Sequence, residues 1–286
     1  MKLLKTVVRG LPLFKDDVVI TFTATQRVSE DDRDRLYPLF SNCYLNPTEA
    51  IIGINASGKT SVLKVILLGL GILNNEPINH ISCKDILGKS EEVVVTSYFV
   101  TGEKNIFRLE TCIKYDCLMG RYIIFDETLW MKLCTSVRLK KTLFDFDDSM
   151  VIANRSNDEQ FLSDDISIII AQTKKNKEHI VVADMREFTN VNVLPNNYNI
   201  PESVVSFLDP SVESIVFEKK DSKDIIRLKF VGQDEIVLNN STELENYLSS
   251  GTIKGISIFT NAMNVLKNGG YMVVDALYEG IEVPVE

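Results

Sequence analysis

The chain contains few of the residues that build metal sites and disulfide frameworks. It has two histidines, His80 and His179, and five cysteines, none of which forms a CxxC pair. A zinc site or a disulfide scaffold is therefore not expected, and free thiols in a reducing compartment fit this cysteine usage better.

Long apolar runs and positive charge are also scarce. The longest clean apolar run covers residues 65–73, far short of the roughly 20 residues that a membrane span needs. Lys5 and Arg9 interrupt the N-terminal stretch that a signal peptide would keep apolar, so we expect a cytoplasmic protein. The net charge is −9, from 40 acidic and 31 basic residues. A chain that mainly coats phosphate backbones usually has the opposite sign.

The remaining composition is that of an ordinary globular chain. Its 286 residues, 45% of them hydrophobic, allow one large domain or two small ones. Apolar patterns predict strands at residues 3–8 and 18–23 and a short strand at 50–54. A glycine-containing turn then leads into a helix over residues 59–73. That helix is apolar on nearly every side, so we expect it to be buried against a sheet.

From residue 91 the apolar pattern repeats every second residue and predicts an antiparallel meander. Its three strands are expected at residues 91–100, 106–115 and 122–127, with one face of the middle strand buried and the other wet. The later sequence predicts helices at 163–175, 202–208 and 252–267, a loop at 189–199, and strands at 214–218, 224–230, 235–238 and 271–274.

Residues 53–60, GINASGKT, match the phosphate-binding pattern GxxxxGK[ST] at every fixed position. Gly53 and Gly58 let the backbone curl so that its N–H groups point at phosphate oxygens. The helix that begins there adds its positive N-terminal end. Lys59 would reach the β and γ phosphates, and the Thr60 hydroxyl would bind Mg²⁺. The alternative is a glycine-containing turn between strand and helix that binds no ligand.

The second half of a nucleotide site would be an apolar strand that ends in Asp. Residues 271–275, YMVVD, supply this pattern with Asp275. Upstream, the sequence LSSGT at 248–252 opens the predicted helix, and a Ser/Gly loop at that place can also bind an anion. The alternative for LSSGT is an ordinary helix N-cap.

The order GINASGKTS, long insertion, LSSGT, helix, GGY and VVD resembles that of the ABC-type ATPases. It looks closest to the SMC-like, RecF-like and OLD-like AAA-family ATPases, because the Asn of GxNxSGKT, here Asn55, is typical of that branch. The resemblance covers about residues 1–75 and 200–275. It implies an α/β fold, a P-loop NTPase of ABC-ATPase type, whose mixed sheet carries an antiparallel β subdomain and a partly helical insertion. We expect one discontinuous ATPase head over 1–286, with its core at 1–75 and 200–286 and an insertion at 85–200.

The resemblance also implies ATP and Mg²⁺ as cofactors. Lys59 and Asp275 would be the catalytic residues, and Thr60 and Asp275 the metal ligands. LSSGT would be the ABC signature, which contacts the γ-phosphate held by a partner subunit, and this implies a nucleotide-dependent homodimer with two composite sites. An effector such as a nuclease or toxin, or DNA, would be a further partner, in DNA repair or phage defence. The implied nucleotide-binding residues are Gly53, Asn55, Ala56, Ser57, Gly58, Lys59, Thr60, Ser61, Ser249 and Gly251.

Two departures from the family pattern bear on catalysis. The family's general base is a Glu directly after the Asp, and this chain has Ala276 there, so we expect weak hydrolysis. The family continues through another strand and a switch His, whereas Glu286 closes this sequence. We therefore expect a head that stops before its catalytic end. Glu279 and Glu282 are alternative bases without support from spacing. Candidates for the glutamine loop are Gln160, Gln172 and Gln233.

Two other function classes stay open. One is a non-catalytic, nucleotide-gated module that acts through protein contacts, which Ala276 favours. The other is another P-loop class, a GTPase or a small-molecule kinase. The nearest match to a GTPase NKxD element is NKEH at 176–179, which lacks the Asp. The sequence also contains no arginine-rich lid of the kind that would suggest a kinase. Two basic clusters could be solvated surface or phosphate contacts: Arg138, Lys140 and Lys141, and Lys174, Lys175 and Lys177.

Overall fold

The computed structural model describes residues 1–155, 162–176, 178–186, 194, 200–220 and 223–275. The chain divides into two units, Met1–Ile180 and Val181–Glu286. Both contain helices and strands, which confirms the mixed α/β class. The division falls inside the region predicted as an insertion, and the single discontinuous head stays a prediction.

The first unit is built on a six-stranded antiparallel sheet. The strands of this unit are β1 (Lys2–Arg9), β2 (Val18–Thr21), β3 (Tyr37–Phe40), β4 (Cys43–Leu45), β5 (Val93–Val100), β6 (Asn105–Asp116), β7 (Arg121–Leu133) and β8 (Val151–Asn154). The sheet has the order β2-β1-β5-β6-β7-β8, and β3 and β4 form a separate hairpin. The predicted meander is confirmed as β5, β6 and β7, although β7 runs further than expected.

Alternation in β6 follows the predicted pattern. Phe107, Leu109 and Ile113 are buried, while Arg108 and Glu110 between them are half-buried. Phe107 stacks on Phe99 of β5 with ring centroids 5.2 Å apart. One sheet face therefore forms the core of this unit, and the other face is only partly covered.

Helix α1 (Lys59–Leu73) has the predicted bounds, and its residues 65–73 are all buried. It approaches the sheet closely at Gly69, where an added Cβ would lie 3.5 Å from Ser97 Oγ and 3.7 Å from Thr6 Oγ1. The apolar pattern on nearly every side of the helix is explained by this burial.

Two sequence predictions in this unit are wrong. Residues 50–54 do not form a strand, because within the described residues no neighbouring strand pairs with them; Ile52 is 92% exposed and Ile54 is 83% exposed. The helix expected at 163–175 begins only at Ile170, as α2 (Ile170–Asn176). The buried carboxylate of Glu127 holds the turn before α2 in another conformation.

Glu127 of β7 is fully buried and organises the turn before α2. Its carboxylate accepts hydrogen bonds of 2.7 Å each from Thr111 Oγ1, Ser167 Oγ and the backbone N–H of Ile168. The Arg155 guanidinium lies 3.7 Å away. Because the Ile168 N–H donates to this side chain, it is not available for the backbone bond that a helix from residue 163 would require.

The five cysteines are all free, as the sequence predicts. Cys43, Cys83 and Cys134 are buried and Cys112 is half-buried. Cys117 is exposed in the turn that joins β6 to β7.

The second unit contains a parallel strand pair and a separate antiparallel sheet. Its elements are β9 (Val181–Asp184), α3 (Glu202–Leu208), β10 (Val212–Lys220), β11 (Lys223–Phe230), β12 (Ile236–Leu238), α4 (Ser250–Asn268) and β13 (Gly270–Val273). β10, β11 and β12 are antiparallel, and β13 is parallel to β9. Their buried core includes Ile215, Leu228 and Ile256. The strands and helices predicted after residue 200 are thus confirmed, whereas the predicted loop at 189–199 lies outside the described residues apart from Leu194.

Across the described residues, none of the helices combines the length and the apolar character that a membrane crossing requires.

Candidate functional site

The loop at residues 53–58 connects an extended segment to α1 and has the backbone of a tight glycine turn. Gly58 is the N-cap of α1 with φ 89°, and Ala56 is also left-handed with φ 62°. A Cβ at Gly53 would lie 2.5 Å from Ser57 Oγ. The backbone angle therefore favours glycine at 58, whereas a side chain at 53 would require the Ser57 hydroxyl to rotate away.

The N-terminus of α1 is open to an incoming anion. Gly58 has no side chain that could cap the helix, and residues 53–57 are exposed. The first N–H groups of a helix lack partners within it and carry its positive end. This arrangement suits an oxyanion bound at the loop.

Lys59 is folded back over the loop. Its ammonium donates to the carbonyl oxygens of Gly53 and Ile54, each at 2.9 Å. A positive charge is thus held directly above the turn. Asn55, Ala56, Ser57, Thr60 and Ser61 complete the predicted phosphate-binding residues, and the structure brings all of them together in this loop and the first turn of α1.

The other predicted residues belong to the second unit. Ser249 is the N-cap of α4; its hydroxyl accepts the Thr252 N–H at 3.0 Å and lies 2.8 Å from Thr252 Oγ1. Gly251 is in the first turn of the same helix. The sequence LSSGT therefore forms the ordinary N-cap that was its alternative interpretation, while its contact with a partner's γ-phosphate stays a prediction.

Asp275 follows β13 at the carboxyl end of the parallel pair. Val273 pairs with Asp184 of β9, and the Met185 N–H donates to the Val273 carbonyl at 2.8 Å. Because the carboxyl ends of parallel strands share one edge, Asp184 and Asp275 belong to the same edge of this pair.

Sequence reasoning missed Asp184 and its neighbour Arg186. Arg186 donates to the Asp184 carboxylate through Nε at 2.9 Å and through a terminal nitrogen at 2.7 Å. Partial burial would raise the pKa of Asp184, but the Arg186 side-chain and backbone hydrogen bonds hold that pKa below its usual value. The missed signal is the sequence VVAD at 181–184, which has the same form as MVVD at 272–275.

The structure gives positions for several of the glutamine and basic residues that the sequence offered as candidates. Gln172 lies in α2 and Gln233 lies between β11 and β12, with no feature that marks either as a glutamine loop. Lys140 donates to the Gln26 carbonyl at 2.9 Å, and Lys174 and Lys175 are exposed at the end of α2. The candidates that lie outside the described residues are Gln160, Lys177, Ala276, Glu279 and Glu282.

Comparison of this chain with known protein families and with curated proteins finds no match to either. The described residues also contain no group of three or more His, Cys, Asp or Glu side chains that could hold a metal ion.

Proposed function

We propose that this chain is an ATP-binding protein of the ABC-ATPase type, in the SMC-like and OLD-like AAA branch. In this proposal it binds ATP with Mg²⁺ through residues 53–61 and forms a homodimer when nucleotide is bound. That change is transmitted to an effector protein or to nucleic acid. The observation that carries the proposal is the left-handed Gly58 at the open N-terminus of α1, with the Lys59 ammonium held above the same turn.

The residues present fit a nucleotide phosphate chain. The small space at Gly53, which a Cβ would fill, lets the backbone curl around an oxyanion. The N–H groups of the first turn would bind and orient the phosphates, and Lys59 would exchange its carbonyl partners for phosphate oxygens. Mg²⁺ bound with the nucleotide would neutralise charge on the β and γ phosphates. The Thr60 hydroxyl is its proposed ligand in this loop.

Substitution of Lys59 tests this site. We expect Lys59→Ala to weaken binding of ATP–Mg²⁺ about 10- to 100-fold, because charge-assisted hydrogen bonds contribute about 1.5–3 kcal/mol. Isothermal titration calorimetry measures the change. Lys64→Ala is the matched control: it removes a lysine of the same helix that pairs with Asp85 at 2.7 Å, away from the loop. Equal ATP affinity in Lys59→Ala and in the unaltered chain would contradict the proposal, as would tighter binding of GTP than of ATP.

The second candidate function is a non-catalytic, nucleotide-gated interaction module. Ala276 favours it, because a methyl group cannot accept a proton from the attacking water. Loss of the base is expected to slow hydrolysis by roughly 10² to 10⁴.

Restoring the acid distinguishes the two functions. Under the ATPase proposal, Ala276→Glu raises phosphate release by roughly 10² or more, measured as steady-state turnover. Ala276→Gln is the control, since it has a similar size but no basic carboxylate. If both variants release phosphate as slowly as the unaltered chain, the ATPase assignment fails and the binding module stands.

A further inference from the structure

The first unit contains a small cleft that is lined by cations. It has a volume of about 320 Å³ and lies between the segment that follows β2, the β3–β4 hairpin and the segment before β8. The polar and aromatic residues that line it are Arg27, Arg33, Lys140, Gln26, Asn42 and Tyr44.

No carboxylate lines this cleft or pairs directly with its cations among the described residues. Its lining contains three cations and no Asp or Glu. Within the part of the chain that the structure describes, no carboxylate oxygen lies within 4.0 Å of the charged groups of Arg27, Arg33 or Lys140. Lys140 is instead held by the Gln26 carbonyl at 2.9 Å. Arg27 and Arg33 are exposed and Lys140 is half-buried, so all three side chains are accessible to an anion in the cleft.

The charge distribution favours a small, multiply charged anion over a polymer. A terminal phosphate concentrates about two negative charges at one point, whereas a nucleic-acid backbone spreads one charge per phosphate along its length and matches a row of cations. The segment that supplies the two arginines also carries four exposed acidic residues, Glu30, Asp31, Asp32 and Asp34. These carboxylates would repel a polyanion that extends across the surface.

The other lining groups suit a planar, polar ring. Tyr44 is half-buried in β4 and is the aromatic residue among those that line the cleft. The Gln26 and Asn42 amides offer both donors and acceptors, which is what the edge of a nucleobase requires. The volume is at the lower end of the range for small-ligand pockets, roughly 300–1,000 Å³.

We propose that this cleft binds a nucleoside monophosphate, with its phosphate on Arg27, Arg33 and Lys140 and its base against Tyr44. None of the lining residues belongs to the loop at 53–61. The site therefore does not depend on the function proposed above, and it gives the chain a second place at which a nucleotide is sensed.

Binding of AMP to the Lys59→Ala chain tests the proposal. AMP lacks the β and γ phosphates that Lys59 is expected to bind, and the substitution also removes the ammonium of the loop, which leaves only backbone N–H groups there. We expect calorimetry to give the same AMP affinity in the Lys59→Ala chain and in the unaltered chain. Arg27→Gln and Arg33→Gln should each weaken it about 10-fold, since each removes a charge-assisted hydrogen bond.

Arg35→Gln and Lys141→Gln are the matched controls. Both remove one exposed cation from the same two segments, but neither residue lines the cleft. The AMP affinity should stay within about two-fold in both. All four substituted residues are exposed. An unchanged thermal unfolding midpoint verifies that each chain is folded.

Four results would overturn the proposal. The first is no AMP binding to the Lys59→Ala chain, which would assign AMP to the loop or to nothing. The second is an equal loss in the cleft variants and in the controls, which would indicate general electrostatic attraction. The third is inorganic phosphate binding as tightly as AMP, because the base would then contribute nothing. The fourth is a single-stranded 20-mer binding more tightly than AMP with the same dependence on Arg27 and Arg33, which would identify a nucleic-acid surface.

Discussion

Glu127 has no exposed surface, yet its side chain can ionise. Burial, the largest influence, raises the pKa of Glu127, and the hydrogen bonds from Thr111, Ile168 and Ser167 and the charge of Arg155 oppose that rise without cancelling it. The folded chain therefore favours the protonated form more than the unfolded chain does. The resulting stability is fully present below the ordinary Glu pKa of 4.5 and is lost as pH rises through the raised pKa of the folded chain.

Glu127→Gln tests this at the residue scale. The amide nitrogen of Gln cannot accept the hydrogen bond from the Ile168 N–H, whereas the hydroxyl oxygen of a protonated Glu can, so the free energy of unfolding should fall by about 1–3 kcal/mol at acidic pH. The difference in the free energy of unfolding between the two chains should narrow as pH rises, because the unaltered chain loses the stability that comes from Glu127. Urea denaturation at a series of pH values measures it, and the exposed Glu103→Gln is the control. If the free energy of unfolding changes with pH in the same way for Glu127→Gln and for the unaltered chain, the raised pKa of Glu127 is refuted.

The turn that leads into α1 could be predicted because its shape depends on neighbours in sequence. The spacing of Gly53, Gly58 and Lys59 predicts a tight glycine turn before a helix, and Gly58 has the left-handed backbone that such a turn needs. Asp184 and Glu127 could not be found in this way. Their environments come from residues distant in the chain, and neither has a short pattern that marks it.

At the scale of single elements, the apolar periodicity predicted a helix correctly where burial against one surface determines the structure. It predicted α1 from a buried stretch and α4 from its apolar face. It failed at α2, where the Glu127 carboxylate takes the Ile168 N–H. It failed again at residues 50–54, because an apolar run becomes a strand only when another strand supplies hydrogen bonds.

Helix α4 offers a test that separates capping from phosphate contact at Ser249. Ser249→Asp should leave stability nearly unchanged, since Asp is as good an N-cap as Ser, whereas Ser249→Ala should cost about 1 kcal/mol. If Ser249 also contacts the γ-phosphate of a partner subunit, the added negative charge of Ser249→Asp should abolish ATP-dependent dimerisation. Sedimentation velocity with and without ATP–Mg²⁺ measures this.

The control for that experiment is Ser250→Asp, which adds the same charge one residue later in the first turn. An ATP-dependent dimer that persists in Ser249→Asp would leave the serine with its capping role alone and remove LSSGT from the proposed site.

At the scale of the whole molecule, the sequence indicated the class of fold but not how the chain divides. Local pattern predicted the antiparallel meander and the later strands, whereas the boundary at residue 180 depends on which elements pack together. The cationic cleft shows the same limit. Its arginines come from the segment after β2 and its lysine from the segment before β8, and each alone resembles ordinary solvated surface.

The position of Cys117 has a practical consequence for fluorescence work on this protein. Maleimide dyes react with the thiolate, and burial raises the pKa of Cys112 and of Cys134 to about 11. Cys43 and Cys83 are buried as well. Brief labelling of the native sequence should therefore place one dye at the β6–β7 turn. Each copy would then carry its own optical probe of association, without any engineered cysteine.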